Sequence, residues 1–211
     1  MFQYLVIEGP IGVGKTSLTR LLAKEFNARM ILEKPEDNPF LESFYQDRRK
    51  YAFQAQLFFL VNRFQQQKDI AQPYLFNQVT LADYLFAKDR IFASITLDDQ
   101  ELALYDQIYQ LLSGQIPSPD LVIFLQAKPE ALLHRIRSRG NPYEKEIDLD
   151  YLKTLTEAYN YFFFHYDETP LLIIDTTEID FVKRKEDLDQ LIREIKQMRK
   201  GTWYFVPRRS K

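Results

Sequence analysis

Residues 9–16 read Gly9-Pro10-Ile11-Gly12-Val13-Gly14-Lys15-Thr16, an unbroken G-x-x-x-x-G-K-[ST] string. Glycine at positions 9 and 14 permits backbone angles and a closeness of approach that a side chain would forbid. The loop can then aim successive N–H groups at an anion, reinforced by the positive end of the helix that starts at Thr16. Lys15 is placed to reach the outer phosphates of a nucleotide, and the Thr16 hydroxyl to ligate magnesium. Residues 9–17, with Ser17 closing the set, are therefore the expected ATP-binding segment. Context strengthens the reading. The string follows an apolar run, Tyr4–Ile7, and opens a helical pattern, Thr16 to Phe26, carrying Leu18, Leu21, Leu22 and Phe26 at helical spacing. A chance glycine loop is the blander reading, and it predicts no such flanks.

Outward from the loop, short apolar runs alternate with longer amphipathic ones. Candidate strands are Tyr4–Ile7, Met30–Leu32, Val79–Ala82, Leu121–Leu125 and Leu171–Ile174. Each has the composition of a strand buried on both faces. Between them lie a long aromatic- and glutamine-rich helix from about Arg48 to Ala71 and a helix opened by Asp98 and Asp99 and closed by Gly114. Another runs from Pro129 to near Gly140, and two more cover Asp150 to Tyr166 and Glu186 to Lys200. The pattern predicts the α/β class: a three-layer α/β/α fold of the P-loop type around a central five-stranded parallel sheet. No linker divides the chain, so a single domain over 1–211 is expected, with a core of 1–200 and a tail of 201–211. That tail is exposed by position yet apolar, suited to packing across the domain or against a second subunit.

Composition narrows the function. With 45% hydrophobic and 27% charged residues, the chain of 211 residues is globular throughout. A net charge of -2 argues against binding nucleic acid. There is no cysteine, and His134 with His165 are too few for a histidine zinc site or a Ser-His-Asp triad to be expected. No run reaches the roughly 18 apolar residues of a membrane helix, and no signal peptide precedes the strand that begins at Phe2, so no membrane contact and a cytoplasmic location are expected.

A GTPase would need an N-K-x-D base-reading string, and none is present. The remaining features resemble the deoxynucleoside kinase family. They are Gly9–Thr16, Glu33, the segment Asp37-Asn38-Pro39-Phe40-Leu41, Tyr45, the Phe53–Arg63 stretch and the Arg135–Glu144 segment, and the resemblance runs from Tyr4 to about Glu194. It implies ATP and magnesium as cofactors, a small deoxynucleoside as acceptor and a homodimer, to which the helix from Arg48 would contribute. Glu33 ends the second strand, where an open parallel sheet places its ligands, and a carboxylate there can accept the proton of an attacking sugar hydroxyl. The resemblance gives Glu33 that role. The blander reading is an exposed loop acid beside Glu36 and Asp37. Gln54 and Gln56 both offer an amide able to read an adenine edge. Spacing to Arg63 and back to Tyr45 favours Gln56, and Tyr45 then resembles the tyrosine that holds the sugar 3′-hydroxyl. Phe53, Phe58 and Phe59 could stack on a base, although such aromatics belong to a core more often than to a pocket.

The run Arg135-Ile136-Arg137-Ser138-Arg139-Gly140 suits a helix C-terminus by charge alone. The resemblance makes it a helical lid, with Arg135 and Arg139 as catalytic arginines beside Lys15. Asn141 stands where many relatives carry a third arginine, and Glu144 matches a glutamate on the 3′-hydroxyl.

One segment departs from the family pattern. After the third strand, where relatives show acid-Arg-Ser, the chain reads Leu81-Ala82-Asp83-Tyr84-Leu85-Phe86-Ala87-Lys88-Asp89-Arg90. Asp83 serves as the magnesium-side carboxylate with Thr16. The expected arginine is Tyr84 in one register and Asp83 in another. The second would leave Ala82 as the acid, so the first is preferred, with Arg90 the candidate for the missing charge. Asp89 resembles the aspartate that helps read a purine. The resemblance favours deoxyadenosine, then deoxyguanosine. A thymidylate-type nucleotide kinase shares the loop but needs cations for an acceptor phosphate, for which Arg48 and Arg49 are available. A non-catalytic ATP switch would need neither Glu33 nor Arg139.

Overall fold

A computed structural model describes residues 2–68 and 79–207. The expected end of the long helix at Ala71 and the tail beyond Pro207 lie outside the described residues. The strands are β1 (Tyr4–Glu8), β2 (Arg29–Ile31), β3 (Thr80–Ala82), β4 (Leu121–Gln126), β5 (Leu171–Asp175) and β6 (Thr202–Phe205). They form one sheet in the order β2-β3-β1-β4-β5-β6, parallel throughout. The sequence predicts five strands, and this count is corrected to six. Residues 202–205, assigned to a tail, pair in register with β5 from Leu171↔Thr202 to Ile174↔Phe205. The signal was weak because this strand keeps Trp203 and Tyr204 exposed, and an edge strand lacks the buried run of its neighbours.

The helices are α1 (Lys15–Phe26), α2 (Leu41–Gln46), α3 (Arg48–Lys68), α4 (Lys88–Thr96), α5 (Asp99–Ser113), α6 (Pro129–Arg139), α7 (Leu149–Phe164) and α8 (Lys185–Gln197). Their ends follow local chemistry. Asp98 caps α5 by accepting from the Gln100 and Glu101 backbone, and Glu101 returns the bond to Asp98 N. Asp148 accepts from Tyr151 N at 2.7 Å to start α7. Gly140 ends α6 at φ 73°, a conformation glycine adopts without strain.

β1 is buried along its whole length, and β4 along all but its last residue. A core cluster on these strands takes in Leu18 and Leu22 of α1, Leu132 and Ile136 of α6, and Tyr159 and Phe163 of α7. Strand order reverses around β1, with β3 on one side and β4 on the other, and a crevice opens at such a point beyond the strands' C-terminal ends. The loops after β1, β2 and β3 all empty into it.

Candidate active site

The loop after β1 is held from beneath by a buried acid. Glu8, the last residue of β1, accepts from Gly9 N at 2.7 Å, from Leu85 N at 2.7 Å and from the Tyr159 hydroxyl at 3.1 Å. It therefore ties the phosphate loop to the loop after β3. Burial pushes its carboxyl up, opposed by the charges of Lys88 and Lys15 and by the two backbone bonds. Sequence reasoning missed Glu8. The available signal was a charge closing an otherwise apolar strand.

Glycine is required in this loop by closeness of packing. A Cβ on Gly9 would lie 2.4 Å from Leu125 O, and one on Gly12 would lie 2.9 Å from Leu132 O and 2.7 Å from the Ile136 side chain. Gly12 thus lets α6 sit directly on the loop. Lys15 Nζ lies over the loop, donating to Gly9 O at 2.7 Å and to Pro10 O at 3.2 Å. Burial pulls its ammonium down to about 8, helped by Lys88 and opposed by Glu8, Glu33 and Asp83.

A cavity of about 240 Å³ lies at the crevice. Ile11, Gly12, Gly14, Lys15, Thr16 and Ser17 line its end at the phosphate loop. Gly9, Pro10 and Val13 do not line it. They shape the loop from behind, Val13 being part of the core. Thr16 Oγ1 donates to Asp83 Oδ2 at 2.6 Å, and Glu33 N donates to the other Asp83 oxygen at 2.7 Å. The second bond follows from topology. β2 and β3 are neighbours with Ile31 opposite Ala82, so the next residues of each strand meet.

Glu33 lies at the centre. Arg63 of α3 donates to Glu33 Oε1 through Nε at 2.9 Å and again through Nη2, and Lys88 of α4 donates to Oε2 at 2.5 Å. Burial by itself would raise the Glu33 carboxyl, but Arg63 and Lys88 outweigh it and hold the group well below the usual carboxylate range. The cation beside Glu33 is thus Lys88, and Arg90 does not supply it. Arg90 turns outward to Asp106 at 3.1 Å, with its side chain 57% exposed. Tyr84, which the preferred register sets opposite the family arginine, is a fully buried ring whose hydroxyl donates to Gln66 Oε1 at 2.7 Å. Lys88 escaped the sequence reading because it falls four residues beyond Tyr84. The helical turn that brings it back was not legible.

The opposite end is lined by Leu41, Phe44, Tyr45, Gln56, Phe59 and Arg63 among others. Of the three candidate stacking rings, Phe59 lines the cavity, and Phe53 packs instead with Leu60 and Phe86 beneath α5. Gln56 donates through Nε2 to Asp89 O at 2.8 Å and to the Asp89 carboxylate, leaving its amide oxygen as the acceptor. Asp89 is fully buried behind Gln56 and Arg63, and it also takes bonds from Arg63 Nη1 and from the Tyr105 hydroxyl at 3.0 Å. Arg63 therefore bridges Asp89 and Glu33. Tyr105 went unnoticed in the sequence, where it reads as one core residue of α5.

On the lid side, Arg139 and Glu144 both line the cavity and hold each other in a two-point pair at 2.6 and 3.1 Å. Arg135 points elsewhere. It donates to Thr176 O at 2.5 Å and Thr176 Oγ1 at 3.2 Å, and more loosely to Val13 O and Ile179 O at 3.4 Å, bracing α6 against the loop after β5. Arg48 lies 4.0 Å over the Tyr151 ring and donates to Glu146 O at 3.2 Å, outside the set of lining residues. The Tyr151 hydroxyl is buried with no hydrogen-bond partner, on a residue that lines the cavity.

A phosphate loop at the start of a parallel sheet, a helical lid and a clamped carboxylate on the facing side define a P-loop phosphotransferase. The chain belongs to the deoxynucleoside kinase family, whose profile matches residues 5–200. It is 38% identical over 200 residues to the deoxyguanosine kinase of Bacillus subtilis (strain 168), spanning 92% of this chain and 97% of that protein. It is 39% identical over 162 residues to the deoxyadenosine kinase of Dictyostelium discoideum, spanning 75% of this chain and 66% of that protein. A deoxyadenosine kinase from M. mycoides, solved with dCMP and a flexible dCDP bound, shares the fold with a TM-score of 0.81 at 23% identity. That match covers 92% of this chain and 100% of the other.

Proposed function

We propose that this deoxynucleoside kinase uses ATP and magnesium to phosphorylate the 5′-hydroxyl of a purine deoxynucleoside, deoxyadenosine before deoxyguanosine, in nucleotide salvage. The observation that carries the reading is Glu33. It lies in one cavity with the phosphate loop on one side and Gln56 and Arg63, backed by Asp89, on the other.

The loop amides and Lys15 hold the triphosphate with its outer end toward Glu33. Glu33 aligns the acceptor hydroxyl and receives its proton. A carboxylate held this far down is a weak base, which suits a loose transition state in which the proton leaves late. Its main contribution is then alignment. Gln56 presents an oxygen and Arg63 presents N–H groups to the base, and Asp89 fixes both from behind. Tyr45 and Glu144 are assigned to the 3′-hydroxyl, and Arg139 to the transferring group once it leaves Glu144.

The Thr16 hydroxyl and the Asp83 carboxylate, 2.6 Å apart, fit magnesium. They are hard oxygen donors, and this ion takes one or two protein oxygens and completes its shell from phosphates and water. When bound, magnesium neutralises charge on the transferring phosphate. The unpartnered Tyr151 hydroxyl supports a polar ligand in the cavity. Arg48, engaged with Glu146 O and the Tyr151 ring, favours a neutral acceptor over a nucleotide. A cytoplasmic homodimer is part of the proposal. No helix among the described residues is long and apolar enough to cross a membrane, and exposed Tyr161 and Phe164 on α7 suit a covered face.

The test is phosphate transfer from ATP to the four deoxynucleosides, the ribonucleosides and the monophosphates, for the wild type and for Glu33→Gln. Turnover of purine deoxynucleosides is expected, falling about 10²-fold or more in the variant with ATP binding retained. Preference for a monophosphate, or near-normal turnover by the variant, would overturn the reading.

A further inference from the structure

Glu33 is gripped on both carboxylate oxygens, and the two grips differ in kind. Arg63 holds Oε1 through two N–H groups, and the same guanidinium is anchored to Asp89. Lys88 alone holds Oε2, at 2.5 Å. A carboxylate bonded at one oxygen can still swing about its last torsion, whose energy surface is broad. Bonded at both, it is fixed.

Lys88 is suited to this task. It opens α4 and is 5% exposed, and among the described residues its ammonium has one ion-pair partner, Glu33. It lines the cavity with Lys15, Thr16 and Asp83. Its neighbour Asp89 turns the other way, into the Gln56–Arg63–Tyr105 network. One turn of helix therefore serves the transfer carboxylate and the base-reading set together. Tyr84 and Arg90 are committed to Gln66 and Asp106 and cannot substitute.

We propose that Lys88 is a positioning residue of the transfer reaction, fixing the second oxygen of Glu33 so that the carboxylate meets the acceptor hydroxyl in line with the donor phosphate. This rests on Glu33 facing the acceptor. The alternative is a buried cation that only balances the charge of Glu33, Asp83 and Asp89. The two differ in whether the loss falls on kcat or on thermal stability and in how Lys88 couples to Glu33.

The experiment measures kcat and KM for ATP and for the acceptor in Lys88→Met, Lys88→Arg, Glu33→Gln and the Lys88→Met/Glu33→Gln double variant, with thermal unfolding of each. Positioning predicts that K88M loses about 10²-fold in kcat with KM for ATP little changed. K88R should recover to within about tenfold of wild type, and the double variant should be no slower than E33Q by more than a few-fold. Should K88M fail to fold, Lys88→Gln carries the same expectation. Near-normal kcat in K88M, no gain in K88R, or losses that multiply in the double variant would each overturn the proposal. Normal turnover in E33Q would instead remove the functional reading beneath it.

Discussion

Replacing Arg63 with leucine removes one guanidinium and strands two acids unequally. Glu33, with its side chain 15% exposed, keeps Lys88. Asp89, with its side chain fully buried, keeps only the Gln56 amide and the Tyr105 hydroxyl at 3.0 Å. Breaking a buried pair costs about 3–5 kcal/mol, and two neutral donors remain on Asp89, so about 3 kcal/mol is expected at pH 8. In a chain of this length that is a fall in Tm of about 6–12 °C. The sign of the pH dependence follows from Asp89. Burial already raises its carboxyl above the ordinary value, with Arg63 opposing, and without Arg63 it rises further. An acid raised in the folded state binds more protons folded than unfolded. The deficit is therefore full above the folded pKa and shrinks as pH falls toward the unfolded value. Urea unfolding of wild type and Arg63→Leu at pH 8 and pH 5 measures this. A deficit below about 1 kcal/mol at pH 8, or one equal at both pH values, would refute the reasoning.

Two further outcomes are expected. Asp83→Asn should raise the magnesium concentration for half-maximal rate by about tenfold or more at saturating ATP, and an unchanged titration would remove Asp83 from the metal site. Because the free enzyme holds the Lys15 ammonium down to about 8, kcat/KM for ATP should fall as pH rises through that value, where the charge that meets the phosphates is lost. A profile flat well beyond it would count against Lys15.

What was legible in the sequence follows from how local the determinants are. The phosphate loop is a contiguous string whose glycines and flanks are all visible in one dimension, and β1, β3, β4 and β5 advertise themselves by apolar runs, whereas β2, expected as a buried strand over Met30–Leu32, runs Arg29–Ile31 with Met30 exposed. The start of α5 was readable because Asp98 and Glu101 form its cap from adjacent residues. α4 had no such mark. Its N-cap is Ala87, with no side-chain bond, and the helix was missed along with the lysine it carries. β6 was missed because half-exposed edge residues look like a tail. Within the site, residue types were readable and their partners were not. Nothing along the chain says that Arg135 would bind Thr176 O, which depends on α6 meeting the loop after β5 across the fold, and Arg139 and Glu144 hold each other only through the local turn after Gly140.

The central position of β1 bears on how the protein is made. The strand carrying the phosphate loop precedes both of its partners in the chain by a long way. Tyr4 pairs with Thr80, and Leu5 with Leu121. The roof over Gly9 is Leu125, and the seat for Gly12 is α6, later still. The strongly apolar β1 is therefore made before β3 can cover one of its edges and long before β4 can cover the other. Nucleotide-binding capacity should appear abruptly once α6 has emerged, and stalled chains shorter than that are the ones that should need a chaperone.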